Sequence, residues 1–451
     1  MAIKEANAGG LTRRQALFGA GVAAMGAIAG GMLTGCSGSG SSSASDIEKT
    51  IENSDGELYY NVERQTTDFR GDAEQPGILG GEAAMQCAAF DVIATEREDL
   101  IQLLKDWTKA AENMCLGYPT NEPNSDVNAS PYDTGEAYDL GAANMKITFG
   151  FGASLFETED GQDRFGLQKA KPEKLIRQMR KFPGDYLDET QCGGDIYIQC
   201  AADDSQVTWH AMHQMMKIAV GKATVKWNRI GFLSAEAPGK FDHAPRDPFG
   251  FRDGSTNDAI VEDEELMKKC CWIQEEDDGG KIIANGGTYF MFRIFAGKLE
   301  SWDQQTLYEQ ERVIGRKKLT GVPLSHVDDK TADEFTEPDL SATDSKGNPL
   351  IDPRSHVSTL RGVRNDTGHA MVRWGWNYTD GIDSLGHMKA GMITGGLSRD
   401  PDADFMKFLD AFRDCDLTDY LQYTASAVFV APHALRANQT YIGQDMFEAT
   451  A

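Results

Sequence analysis

Residues 85–114 read MQCAAFDVIATEREDLIQLLKDWTKAAENM, and their pattern decides the fold. The first ten residues, Met85 to Ala94, form an apolar run interrupted only by Gln86 and Asp91, which predicts a buried strand. Thr95-Glu96-Arg97-Glu98 follows with the spacing of a capping box, predicting Thr95 as N-cap with Glu98 reaching back. Leu100, Ile101, Leu104, Trp107, Ala111 and Met114 then recur at helical intervals. The stretch is a strand feeding an amphipathic helix.

Working outward, a loop rich in Asn, Pro and Gly leads to a predicted strand at 145–151. A basic helical piece at 172–182, an alternating strand at 195–200, a helix near 205–220 and a strand near 223–233 follow. The order is β-α-β-β-α-β. The second half repeats it. A strand spans 288–299, and Ser301-Trp302-Asp303-Gln304 predicts a capped helix to about 314. Strands near 370–378 and 389–397, a helix near 402–412 and a strand near 425–431 complete the set. Two such units predict an α+β, duplicated ferredoxin-like fold, with domains at 77–245 and 246–451.

Composition agrees with a globular body. Of 451 residues, 40% are apolar and 25% charged, enough to build a core without being a disordered or coiled-coil chain. Asp and Glu number 70 against 44 Lys and Arg, a net charge of −26 that repels phosphate backbones and argues against nucleic-acid binding.

The N-terminus has its own logic. Arg13 and Arg14 precede an apolar, Gly/Ala-rich stretch to residue 35, the layout of a twin-arginine export signal. Leu33-Thr34-Gly35-Cys36 resembles a lipobox, which predicts a lipid anchor at Cys36 and a cell-surface or periplasmic location. The SGSGSSSAS run at 37–45 begins a flexible tether, and 37–76 is assigned as tether and extension. Twin-arginine substrates travel folded, often with a cofactor already inserted. The remaining cysteines show no C-x-x-C and no paired zinc spacing, so most are expected to be buried small hydrophobes. The vicinal pair Cys270-Cys271 is read as packing.

Chemistry concentrates in the second half. Gly250-Phe251-Arg252-Asp253-Gly254 places two glycines around one carboxylate. His356 stands in Asp352-Pro353-Arg354-Ser355-His356-Val357, and Arg373 in the strand-like Met371-Val372-Arg373-Trp374-Gly375-Trp376. A buried strand arginine is costly unless a charged ligand or partner faces it. An imidazole can bind haem iron, a carboxylate can shuttle a peroxide proton, and a guanidinium can stabilise developing negative charge.

These motifs resemble the dye-decolorizing peroxidases, within them the secreted deferrochelatase/peroxidase-like branch, over nearly all the chain from about residue 77. Gly250 to Gly254, continued by Ser255, Thr256 and Asn257, matches the family's G-x-x-D-G. Gly193-Gly194-Asp195, Arg164-Phe165-Gly166-Leu167, and Ile314-Gly315-Arg316 leading to Gly321-Val322-Pro323-Leu324 are also family-like. The resemblance implies one non-covalent haem b per chain in the C-terminal half. It implies His356 as proximal ligand, Asp253 as distal acid/base and Arg373 as charge stabiliser, with Gly250, Phe251, Arg252, Gly254, Ser255 and Thr256 as cofactor contacts. Hydrogen peroxide would be reduced through a ferryl state that oxidises an organic reductant, best at acidic pH because a carboxylate titrates low. A homo-oligomer, dimer or larger, is a further implication. His326 is the rival ligand, Asp339 and Asp344 are candidates to orient the His356 ring, and Trp374, Trp376 and Tyr378 are candidates for an electron relay or for core packing. Two other readings stay open: iron release from haem with iron-uptake partners, and a non-enzymatic haem-binding lipoprotein.

Overall fold

The computed structural model describes residues 65–121, 126–234, 243–255, 257–277 and 280–450. The export signal, Cys36, the tether to residue 64 and Thr256 lie outside the described residues. Eight strands form the frame: β1 (Ala84–Val92), β2 (Lys146–Gly152), β3 (Ile196–Ala202), β4 (Ala223–Phe232), β5 (Thr288–Gly297), β6 (Arg373–Ile382), β7 (Met388–Ser398) and β8 (Leu421–Ala431). The principal helices are α1 (Arg97–Cys115), α2 (Ser205–Ala219), α3 (Glu264–Cys270), α4 (Leu299–Asp303), α5 (Leu307–Ile314), α6 (His356–Thr367) and α7 (Phe405–Ala411).

The strands close into a barrel in the order β1-β3-β2-β8-β5-β7-β6-β4. Read within each half, the order is β4-β1-β3-β2 and β8-β5-β7-β6, the same antiparallel ferredoxin-like arrangement twice. The halves join where β2 meets β8, at Phe151–Val430 and Gly152–Phe429, and where β4 meets β6, at Phe232–Asn377.

Side-chain alternation explains the apolar run that opens the sequence reading. Met85, Cys87 and Ala89 of β1 join the cluster inside the barrel, with Tyr197, Trp227, Phe290, Phe292, Trp374 and Trp376. Ala88, Phe90 and Val92 face outward and are covered by α1 and α2. Trp107 of α1 is fully buried there, its ring 5.2 Å from that of Phe90, and its Nε1 donates to the Met215 carbonyl at 2.8 Å. The same alternation on β6 sends Trp374, Trp376 and Tyr378 into the barrel core and leaves Arg373 on the outer face.

Three local expectations are corrected. α1 has Glu96 as N-cap with no side-chain cap, and Thr95 Oγ1 instead donates to the Glu96 carboxylate. Ser301–Gln304 opens no long helix. Ser301 lies within the short α4, and the cap falls at Thr306, whose Oγ1 accepts from the Glu309 N–H at 3.2 Å to start α5. Residues 172–182 form turns, bends and irregular chain rather than a helix. There Pro172 and Pro183 limit helical hydrogen bonding, and the apolar Leu175, Met179 and Phe182 bury individually. All seven described cysteines are buried and free, as the apolar contexts predicted.

Candidate functional site

Asp253 is presented by a tight turn. Gly250 and Gly254 take φ of +85° and +77°, values that disfavour residues with a Cβ. Asp247 builds the turn from inside: its Oδ1 accepts from the N–H groups of Phe249 at 3.0 Å and Phe251 at 2.9 Å. The Asp253 N–H donates to the Pro245 carbonyl at 2.8 Å. Phe251 anchors the turn against Trp302 in a small core under α4.

His356 is the first residue of α6. Ser355 caps the helix, its Oγ accepting from the Ser358 N–H at 3.2 Å, and Gly368 ends it at φ +63°. The segment before it is anchored by ion pairs. Arg312 donates to Asp352 at 2.6 Å and to Asp416 at 2.9 Å, and Arg354 donates to Asp416 at 2.6 Å. The ring packs edge-on against Phe412 with centroids 5.2 Å apart.

Arg373 leaves the outer face of β6 and meets both. Its Nη2 donates to Asp253 Oδ1 at 2.7 Å and lies 3.4 Å from His356 Nε2. The three residues line two adjoining cavity lobes of about 830 and 750 Å³, between α6, α7 and the outer face of the C-terminal sheet. The shared wall includes Met371 and Phe408. One lobe adds Arg316, Arg361 and Arg364, and the other adds Arg293, Phe295, Phe412 and Tyr423.

The electrostatics divide the groups. Burial pushes the His356 imidazolium down to about 3, and the nearby charges of Arg373 and Arg316 add to the effect. The ring is therefore neutral at ordinary pH, with Nε2 turned toward the cavity side that Arg373 occupies. Among the described residues its Nδ1 is buried without a hydrogen-bond partner. Burial and the neighbouring Asp253 charge raise Asp247 to about 7, against the pull of its two backbone donors and Arg373.

The placement of the other candidates is mixed. Phe251, Arg252, Gly254 and Ser255 line the first lobe, whereas Gly250 packs behind the turn against Lys318. His326 sits on a short 3-10 turn beside Ser325, in neither lobe. Asp339 and Asp344 are exposed turn formers, accepting from Ser341 and Asn348, and neither orients the His356 ring. Trp374 and Trp376 donate to the carbonyls of Ile78 and Glu82 inside the barrel. Trp374 also reaches a third cavity, shared with Asp253 and Arg373. Sequence reading passed over Asp247 and the helical state of 356–367. The Ser355 cap and the Gly368 stop were the legible signals for that helix.

Comparison with known proteins fits this geometry. The family model for the Dyp-type peroxidase N-terminal domain matches residues 75–233, and that for the C-terminal domain matches 244–436. The chain is 29% identical over 410 residues to a protein of Escherichia coli K12 named Deferrochelatase, covering 90% of this chain and 92% of that one. A Yersinia pestis protein of the same name is 28% identical over 388 residues, covering 85% and 86%. Among solved structures, a DyP-type peroxidase of Streptomyces coelicolor superposes with a TM-score of 0.73 at 30% identity, covering 85% of this chain and 97% of that one. Ferric DtpA from Streptomyces lividans gives the same values. With both family domains matched across most of its length, the chain belongs to the Dyp-type peroxidases, a family of haem-dependent oxidoreductases.

Proposed function

We propose that this chain is an exported haem b peroxidase that binds one haem per chain in the cavity beneath α6 and reduces hydrogen peroxide with electrons from an organic reductant. The observation that carries it is convergence. A neutral imidazole, a carboxylate and a guanidinium meet in one cavity, although Asp253 and Arg373 are 120 residues apart.

The residues present fit an iron porphyrin. His356 offers an uncharged Nε2, the form that ligates a metal. Phe408, Phe412, Leu360 and Met371 supply apolar wall for a flat macrocycle, and Arg316, Arg361 and Arg364 supply positive charge for its carboxylates. Ligation at Nε2 requires Arg373 to leave its present contact with His356, and the Asp253 pair is what retains the guanidinium. When bound, the haem supplies the electrons that break the peroxide O–O bond. Asp253 takes the proton from one peroxide oxygen and delivers it to the other, which departs as water. Arg373 stabilises the negative charge developing on the departing oxygen. Asp247 holds the turn that aims Asp253.

Similarity to relatives named Deferrochelatase over 85–90% of the chain favours a second reading, release of iron from haem with iron-uptake partners. The Asp253–Arg373 pair argues against a mere haem carrier, which needs neither group. The twin arginines and Cys36 support export and a lipid anchor, and a homo-oligomer accords with the family resemblance.

Stopped-flow mixing of haem-loaded protein with peroxide tests the proposal, with product analysis to follow. A rapid change in the haem spectrum, followed by reductant oxidation with the porphyrin intact, is the expected result. Iron-free porphyrin as the main product would establish the second reading. Replacing His356 with Ala should weaken haem retention, and undiminished retention would name another ligand.

A further inference from the structure

Cys270 closes α3, His369 follows the Gly368 that ends α6, and Asp404 precedes α7. The peroxidase reading uses none of them. One donor atom from each lies within 4.8 Å of the other two. Cys270 and Asp404 are each oriented by bonds to their surroundings, and His369 by its bond to Asp404. The His369 Nδ1 pairs with Asp404 Oδ1. The other carboxylate oxygen of Asp404 accepts from Ser398 Oγ at 3.0 Å and from the Asp400 N–H at 3.2 Å. Cys270 Sγ accepts from the Ala370 N–H at 3.3 Å. The Asp404 side chain is 0% exposed, while His369 keeps 22% exposure and gives an ion a way in.

Bound to an ion, Cys270 as a thiolate and Asp404 as a carboxylate would bring two negative charges to a place where an unpaired charge is expensive. A divalent cation with a neutral imidazole balances them. Sulfur, nitrogen and oxygen donors together suit borderline first-row ions and disfavour Mg²⁺ and Ca²⁺, which take oxygen. We infer that Cys270, His369 and Asp404 form a binding site for a borderline divalent first-row cation, typified by Zn²⁺. The ion would tie the C-terminal end of α6 to α3 and to α7, whose side chains wall the cavity. Lys269 stands beside the site but is already engaged, its Nζ donating to the Gly368 carbonyl at 2.6 Å. The site is independent of the peroxidase assignment.

The experiment uses the full chain, with and without haem, stripped by chelator and titrated with Zn²⁺. Bound zinc is measured by mass spectrometry of the metal and by calorimetry. Co²⁺ serves as a second probe, because only thiolate ligation gives its intense near-ultraviolet charge-transfer band. One Zn²⁺ per chain is expected, with a thiolate band for Co²⁺ and no competition from Mg²⁺. Cys270→Ser and His369→Gln should each weaken zinc binding by about tenfold or more, the glutamine amide still offering a donor to the buried Asp404 carboxylate. Substoichiometric zinc, undiminished binding in both variants, or a Co²⁺ spectrum without the thiolate band would each overturn the inference.

Discussion

A histidine in each half of the barrel meets an opposite electrostatic setting. In the N-terminal half, His210 on α2 lies 2.8 Å from Glu136 and 3.5 Å from Asp133. Burial works against its charged form, but the two carboxylates outweigh burial and raise its pKa. In the C-terminal half, His356 has no carboxylate partner among the described residues, and burial drives its pKa down to about 3. One imidazole is biased toward its charged form and the other toward its neutral form. The packing around them differs in the same sense. α1 buries Leu100, Leu103, Leu104 and Trp107 against the sheet, whereas α6 fully buries only Arg361. Between α6, α7 and the outer face of the second sheet the packing leaves a gap, and that gap is the cavity. Repeating a fold and under-filling one copy makes a site without changing the topology.

The sharpest way to break this contrast is to remove each histidine from the haem-free protein. His210→Ala should cost about 3–5 kcal/mol near pH 6, because it removes the imidazole partner of buried Asp133 and leaves partly exposed Glu136 with His213. His356→Ala should cost about 1 kcal/mol or less, since its Nδ1 has no partner to lose. Urea unfolding measures both, and equal losses would refute the distinction.

Asp253→Asn and Arg373→Leu come next. Each should slow the reaction with peroxide by about 10²–10³-fold while haem stays bound, the scale of losing one preorganised charge-stabilising group. Full-rate reaction in either variant, read by stopped flow, removes that residue from the mechanism.

The pH dependence is smaller and has a definite sign. His356 is depressed from an ordinary value near 6.5 to about 3, so its contribution is present above about 6.5 and lost as pH falls toward 3. Asp247 is raised from 3.8 to about 7, so its contribution is present below 3.8 and lost as pH rises through 7. The two oppose each other across the acidic range. Relative to the wild type, haem-free Asp247→Asn should lose more stability on acidification. His356→Phe should lose less. Parallel pH profiles for wild type and both variants would show that neither group is perturbed.

The smallest effect concerns packing. Leu104→Ala, in the filled half, should cost about 2–5 kcal/mol. Leu360→Ala, on the cavity wall, should cost under about 1 kcal/mol and act mainly on haem affinity. Comparable losses would mean that the cavity is not a deliberately open space.

Several features were legible because they are local. The apolar run at 85–94 and the helical spacing that follows come from side-chain periodicity, which depends on near neighbours. The glycines around Asp253 mark a turn that a Cβ would strain. Cap positions were less legible. Thr95 and Ser301 have suitable side chains, yet Glu96 and Thr306 hold the cap positions, because tertiary packing sets where the chain enters each helix. Asp339 and Asp344 failed as partners for His356 for a related reason: an exposed turn uses its own carboxylates locally, and no sequence spacing reports which way a distant loop runs.

By itself the sequence determined the repeated β-α-β-β-α-β order and, through motif resemblance, the chemical identity of three side chains. Only the tertiary structure decided that Asp253, His356 and Arg373 share one cavity, that the ring is neutral, and that Asp247 stands beside them. Periodicity is written in adjacent residues. Burial, and the pKa shifts it causes, depends on which distant segments close over a group, and strand pairing across the whole chain sets that.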